Sequence, residues 1–509
     1  MRSIKSMRNM LISMLVNLVI AVIGFVAQKV FIYTLGDEYL GINGLFSNII
    51  SMLAIAELGV GTAIIYNMYK PIAEDDRETI KSLLLYYKKC YRIIAIFVLL
   101  IGLLIIPFLA KIVGEVTIPD NLIYIYMLFL MDTVLSYLLI YKRSMLDANQ
   151  ENYIYQIVHM VYVITMNGIQ VGVLLKYNNY YLYLMIKVVV RVLENYTLSK
   201  LVDRKYPFIK EKQVLPLDFG IRQDISIKVK AILFHKIGGF AVLGSDNILI
   251  SVLINVTSVG YYSNYKMIIN AVQNLFTQAF SSLTASVGNL LVTDKKKTYE
   301  IFRKLEFLNF WLSTITSCCL LIIIDSFIEL WLGKKYILST FTLVMLVMNY
   351  YLQTMRAAMG TFKDAAGIFW EDRFIPFAEL FCNIIFSIIC SKYWGLAGVF
   401  MGTVISNFVL HFYSFPKFCY KKIFNDHVVN YFILIFKYFT ASILICVFSY
   451  IVSVIVTQHI ELVLARFVVN IICAICVPNI ILYFSYRKTS EFMYFKTFIL
   501  SVLNRWLKK

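Results

Sequence analysis

The sequence predicts an all-α polytopic membrane protein, with about fourteen transmembrane helices in two parallel six-helix bundles plus two C-terminal helices. Three observations predict it. The 509 residues are 60% hydrophobic and only 15% charged, where a soluble chain carries about 25% charged residues. Apolar runs of span length recur along the whole chain, and the loops between them alternate between basic and nearly bare. The mean hydropathy of +0.74 agrees. So do the 36 Tyr and 38 Phe, residues suited to repeated membrane–water interfaces.

Runs of about twenty apolar residues fall near 10–33, 42–69, 92–113, 121–141, 153–175, 179–200, 230–254, 261–292, 307–331, 338–360, 374–391, 395–416, 428–456 and 463–484. Only the turn Lys392-Tyr393-Trp394-Gly395 separates spans eleven and twelve. The basic start, Met1 to Met10, leads into a run of full span length with no small-residue cleavage site, so a cleavable signal peptide is not expected.

Lys and Arg set the expected orientation. Clusters occur at Arg2, Lys5, Arg8; at Arg77, Lys81, Lys88, Lys89, Arg92; and at Arg204, Lys205, Lys210, Lys212. They recur at Lys295, Lys296, Lys297, Arg303, Lys304, at Lys417, Lys421, Lys422, and in the tail from Arg487 to Lys509. By the positive-inside rule these loops face the cytoplasm, and so do both termini. Two ends on one side require an even number of spans. The net charge of +18 is therefore topological, and no nucleic-acid partner is implied.

The longest polar stretch, about 203–228, divides the spans as six and eight. The expected organisation is a first six-helix bundle over 1–200, a cytoplasmic linker over 201–229 and a second six-helix bundle over 230–422. Two additional helices follow over 423–488, then a basic amphipathic tail over 489–509. The halves resemble one another: Leu40-Gly41 lines up with Val259-Gly260, and the same offset pairs Asp75 with Asp294 and Thr79 with Thr298. A six-span repeat preserves orientation, which makes the halves parallel repeats. Gly168-x-x-x-Gly172 and Gly398-x-x-x-Gly402 read as helix-packing contacts. In the tail, Phe492, Phe495, Ile499, Val502 and Trp506 recur at helical spacing, as in a helix lying on a leaflet. Of the nine Cys, most lie inside apolar spans and read as small packing residues.

Several chemistries are missing from the sequence. It holds no P-loop, no H-E-x-x-H, no nucleophile elbow and no cluster of His ligands. No metal, no cofactor and no enzymatic activity are expected. Energy for transport would come from an H⁺ or Na⁺ gradient, the membrane potential or a partner.

Charges inside spans are the informative residues, because each costs on the order of 2.5–3.5 kcal/mol at mid-membrane. They are Glu57, Asp132, Lys187, Arg191, Glu194, His235, Lys236, Asp246, Lys266, Glu379 and Lys437. Lys187, Arg191 and Glu194 stand at i, i+4 and i+7 on one helix face. Two readings stay open for them: a cationic wall for an anionic cargo, or an ion pair that holds helices together. Lys29 and Lys266, near outer span ends, either snorkel or face a cavity. Glu57, Asp132 and Asp246 are candidates to exchange the coupling ion. Glu57 precedes Leu58-Gly59-Val60-Gly61, where glycines loosen the helix.

Three runs carry a family resemblance: Tyr39-Leu40-Gly41 through Glu57-Leu58-Gly59-Val60-Gly61-Thr62-Ala63; Ser245-Asp246-Asn247-Ile248-Leu249-Ile250 followed by Val259-Gly260-Tyr261-Tyr262-Ser263; and Trp394-Gly395-Leu396-Ala397-Gly398. In their order and spacing the chain resembles Wzx-type lipid-linked oligosaccharide flippases. That family sits in the multidrug/oligosaccharidyl-lipid/polysaccharide exporter superfamily, beside lipid II flippases and MATE exporters. The resemblance implies two rocking bundles around a central cavity. It also implies a polyprenyl-diphosphate-linked glycan as cargo, and a polysaccharide polymerase and glycosyltransferases as pathway partners. Basic residues on the first two helices of each bundle would face the diphosphate, which nominates Lys29, Lys236 and Lys266, with Lys187 and Arg191 behind them. The competing readings are a MATE-like cation-coupled small-molecule exporter and a membrane glycan polymerase or glycosyltransferase. The latter lacks the acidic outer loop it would need.

Overall fold

In hydrocarbon every backbone N–H and C=O must find a partner within the protein, and a helix satisfies each run by itself. The computed structural model describes the backbone of residues 2–57, 60–211, 214–281, 283–293, 295–368 and 371–507. Side chains are described along most of these, the chief exceptions being 2–11, 230–243, 292–296, 409–412 and 502–507. The described residues are almost entirely helical and contain no strand.

Fourteen crossings can be traced. The first six are Arg2–Leu35; Asp37–Leu53 continuing to Val60–Ala73; Arg77–Ile105 extended by Leu109–Val113; Leu122–Ser136 with Ser144–Ala148; Asn152–Tyr177; and Tyr180–Lys205. Next come Phe219–Leu253; Val256–Ser281 with Thr284–Thr293; Lys295–Trp331; and Thr340–Met355 with Ala357–Ala366. The continuous element from Ile375 to Phe424 supplies spans eleven and twelve, and Val428–Thr457 and Val463–Tyr486 complete the set. Seven described helices are long and apolar enough to cross a membrane by that test alone, or eight with the bent pair in span four. The remaining spans are broken or carry more charge, as expected of helices that face protein.

Spans eleven and twelve meet at Gly395, whose φ of 53° and ψ of −128° turn the chain back. Asn383 donates to Thr403 (2.8 Å) and the Ser387 hydroxyl to the Val399 carbonyl (2.8 Å), the register of an antiparallel hairpin. Gly398 and Gly402 allow it: an added Cβ would lie 2.2 Å from the Cys390 carbonyl oxygen and 2.3 Å from the Ser387 nitrogen. The packing expectation holds there. It fails for Gly168 and Gly172, where, among the described residues and apart from their own helix backbone, no atom lies within 4 Å of an added Cβ.

The internal repeat is written in the helix ends. Asp37 and Val256, 219 positions apart, both open helices. Gly114 (φ 77°) and Gly333 (φ 104°), at the same offset, follow spans three and nine. Tyr137 and Arg356, again 219 apart, cap the first halves of spans four and ten, where each helix breaks. Asp294 lies outside the described residues.

By contact the chain forms two units, 1–263 and 264–509. Within the first unit, span seven packs against span two, where an added Cβ at Gly244 would meet Met52 at 2.6 Å. The core of this unit centres on Phe46, edge-on to Tyr126 and Phe129. In the second unit Phe310 stacks on Tyr438 at 4.4 Å, and spans thirteen and fourteen lie along span nine. The tail forms a helix, Ser490–Leu507, whose first turn is tied to protein: Glu491 pairs with Arg303 (3.0 Å) and Phe492 stacks on Trp311. Ile499, Val502 and Trp506 have side chains outside the described residues.

Candidate functional site

In the first unit, spans four, five and six converge on a charged cluster. The helical spacing of span six puts Lys187, Arg191 and Glu194 on one face, and Asp132 of span four meets it. Asp132 lies 3.4 Å from Lys187 Nζ and 3.5 Å from Arg191 Nε. Glu194 lies 3.7 Å from Arg191 and accepts or shares a proton with His159 Nδ1 at 2.7 Å. Lys187 also stands over the Phe129 ring at 4.8 Å. Beside the cluster is a cavity of about 220 Å³ lined by Asp132, Ser136, Arg143, Tyr155, Arg191 and Glu194.

The break in span four shapes this cavity. Its two halves meet at 45° and leave backbone carbonyls without helical partners. Asn195 of span six donates to the freed Ser136 carbonyl at 3.0 Å. A broken span beside a polar cavity is where irregular backbone is tolerated at membrane depth. Two cations here face two carboxylates, so an anionic ligand would exchange contacts with Asp132 or Glu194 and would not meet free charge.

A second polar centre of the same unit lies at the break in span two. Glu57 ends the short 3₁₀ turn Ala54–Glu57 and accepts from the Tyr91 hydroxyl at 2.7 Å. Tyr87 donates in turn to Tyr91 at 3.3 Å, and Tyr137 stands edge-on to Tyr91. Gly61 leaves room for the phenols: an added Cβ would lie 2.6 Å from the Tyr87 oxygen. Phenol donors suit a carboxylate that exchanges a small cation, because each hydroxyl can turn away.

The remaining sequence candidates are dispersed. Lys29 is exposed on span one and has no carboxylate partner among the described residues. Asp246 is buried on span seven between buried Ser245 and Asn247, and Asn247 donates to the Gly44 carbonyl of span two at 3.3 Å. Lys266 is half-buried on span eight in the second unit. The side chains of His235 and Lys236 lie outside the described residues.

Three functional-looking groups are not among the sequence candidates. His159 joins the cluster from span five. Glu306 of span nine is buried, with neither carboxylate oxygen hydrogen-bonded among the described residues. Arg356, at the break in span ten, bonds Glu379 at 3.0 Å and the Asn407 side chain, which bonds Asn349. Gln353 then links Asn349 (3.2 Å) to Gln273 (2.8 Å). The sequence signal available for Arg356 was a cation inside the apolar run of span ten.

No family model matches the chain, and no curated protein matches it. Solved structures do. The chain is similar to the lipid II flippase MurJ in an inward closed conformation, with TM-score 0.65, 14% identity, and coverage of 94% of this chain and 99% of that one. A point mutant of the Vibrio cholerae MATE transporter VcmN gives 0.57 at 13% identity over 84% and 98%. An inward-facing multidrug-resistance MATE transporter of the MOP superfamily gives 0.53 at 14% identity over 78% and 95%. The chain shares the fold of these transporters. Within this fold, the charged cluster and the Glu57 break both belong to the first unit, and the Arg356 network belongs to the second.

Proposed function

We propose that the protein is a flippase that turns a polyprenyl-diphosphate-linked oligosaccharide repeat unit from the inner to the outer leaflet of the bacterial cytoplasmic membrane. It works by alternating access, in capsule or surface polysaccharide biosynthesis. The observation that carries this reading is the extent of the fold likeness. The match to a lipid II flippase spans 94% of the chain, whereas the two MATE transporters span 78% and 84%. Chemistry supports it too. A diphosphate needs cations that lipid cannot supply, and guanidinium and ammonium groups grip phosphate with charge-assisted hydrogen bonds. Lys187, Arg191, Lys29, Lys236 and Lys266 are the residues proposed to do so, and Glu57, Asp132 and Asp246 are proposed to carry a coupling H⁺ or Na⁺.

One observation favours a second reading, a MATE-like cation-coupled exporter of small molecules. Glu57 stands at a break in span two under a tyrosine hydroxyl, a site suited to a small cation without any phosphate. Reconstitution separates the two. The purified protein in liposomes is expected to move a fluorescent polyprenyl-diphosphate oligosaccharide between leaflets, and its deletion in cells to trap lipid-linked glycan on the inner leaflet. No leaflet transfer, with ion-driven uptake of a cationic dye instead, would overturn the flippase reading.

A further inference from the structure

The second unit contains a cavity that the transport reading does not use. It measures about 380 Å³ and lies between span nine, spans thirteen and fourteen, and the start of the tail helix. Its polar lining includes Arg303, Lys437, Asn430, Thr489 and Glu491, and Tyr299, Tyr438 and Tyr486 add phenols.

Two cations and one carboxylate leave the lining one positive charge in excess. Glu491 engages Arg303 through Nη2 at 3.0 Å, but Arg303 Nε is buried without a hydrogen-bond partner among the described residues. Lys437 has no carboxylate partner among them and rests over the Tyr486 ring at 5.9 Å. Lys437 stands nine residues inside its helix, Val428–Thr457, and Arg303 lies just before the apolar run of span nine. For Lys437 that is about 14 Å of helix rise, where a cation calls for an anion or a route back to water. The apolar side of the lining continues along span thirteen, where Ile433 and Phe436 are 63% and 67% exposed.

We propose that this cavity is a phosphate site, filled by the phosphodiester of an anionic glycerophospholipid whose acyl chains lie along Ile433 and Phe436. One negative charge complements the excess of one positive charge, and the guanidinium and phenol donors point to oxygen acceptors. The tail helix completes the site through Thr489 and Glu491, so lipid binding and docking of the tail support each other.

The test uses the full-length protein, with lipid retention read by native mass spectrometry. Three probes are compared: phosphatidylglycerol, phosphatidylcholine and inorganic phosphate. Wild type is expected to retain phosphatidylglycerol over phosphatidylcholine. Lys437→Gln should lose about tenfold in that preference, the factor for one charge-assisted contact, and Lys437→Arg should keep it. Lys437 is exposed, so the variant should fold; Lys417→Gln, elsewhere on the second unit, should behave as wild type. Displacement of the lipid by millimolar inorganic phosphate would support the phosphate site with a soluble source. Equal retention of both lipids without competition by phosphate would overturn it. So would undiminished preference in Lys437→Gln.

Discussion

Gly41 and Gly260, 219 residues apart and equivalent in the internal repeat, pack backbone against backbone within the first unit. A Cβ added at Gly260 would lie 2.9 Å from the Gly41 nitrogen, and one added at Gly41 would lie 2.0 Å from the Val256 carbonyl oxygen. Tyr261 donates to Asp37 across the same contact at 3.3 Å. The mouth of span two and the mouth of span eight thus meet where neither can carry a side chain. Membrane helices associate largely through such close packing, since lipid offers no hydrophobic drive between them. Gly41→Ala is expected to destabilise the protein by about 1–3 kcal/mol, the usual cost of overpacking. Gly168→Ala, with open space around it, should leave the thermal midpoint in detergent unchanged. Equal midpoints for the two variants would contradict the contact.

The fold was largely legible because lipid imposes a simple rule: about twenty apolar residues per span, each run a helix. The six-plus-eight division was legible as a linker, whereas the close packing of Gly244 against Met52, between spans seven and two, has no local sequence signal. The packing role of Gly398 and Gly402 followed from their spacing. Gly168 shows the limit of that signal, for spacing does not reveal whether a partner helix is present. The candidate site was legible only in part. Lys187 and Arg191 stand out by periodicity, but their partner Asp132 is more than fifty residues away in sequence and the break at Ser136 has no Pro or Gly to announce it. His159 was hidden for a related reason: nothing local distinguishes a histidine aimed at Glu194 from one facing lipid.

The Arg356 network predicts a pair of stability effects. Glu379 and Arg356 are largely buried, at 6% and 19% side-chain exposure. Removing one partner leaves an uncompensated charge, at a cost of about 3–5 kcal/mol. Glu379→Gln is therefore expected to lower the unfolding midpoint strongly. The double variant Arg356→Met/Glu379→Leu should regain much of the loss, because apolar replacement of a buried pair is often nearly neutral. A double variant no better than the single would show that Arg356 acts mainly through Asn407.

A pH effect is expected at the junction between spans twelve and thirteen. The Tyr420 hydroxyl donates to Asp426 (2.7 Å) and Asn430 adds a further donor, and these bonds hold the Asp426 carboxyl below its ordinary value of 3.8. Bonds that favour the charged form stabilise the fold wherever the carboxyl is ionised. The contribution is complete above the ordinary value and is lost as pH falls through the lowered one. The midpoint difference between wild type and Asp426→Asn should be constant near neutrality and shrink in strongly acidic solution. A difference that grows on acidification would reverse the sign and refute the assignment.

The charged cluster gives the decisive prediction for the transport reading, because it has to separate structural pairing from cargo contact. Asp132 sits between Lys187 and Arg191, and both cations are about a third exposed or less. If pairing is all they do, Lys187→Gln and Arg191→Gln should lower stability as Asp132→Asn does, and transfer of a polyprenyl-diphosphate glycan per folded molecule should not change. If the cations also meet the diphosphate, each replacement removes a charge-assisted contact that Asp132→Asn leaves available. We expect the second outcome. Lys187→Gln and Arg191→Gln should each slow transfer about tenfold, whereas Asp132→Asn, measured without an ion gradient so that its proposed coupling role is silent, should reduce stability with a smaller effect on transfer. The measurement is leaflet exchange in proteoliposomes, normalised to the folded fraction. Wild-type transfer by Lys187→Gln/Arg191→Gln would assign the cluster to helix pairing alone and move the cargo contact to Lys29, Lys236 and Lys266.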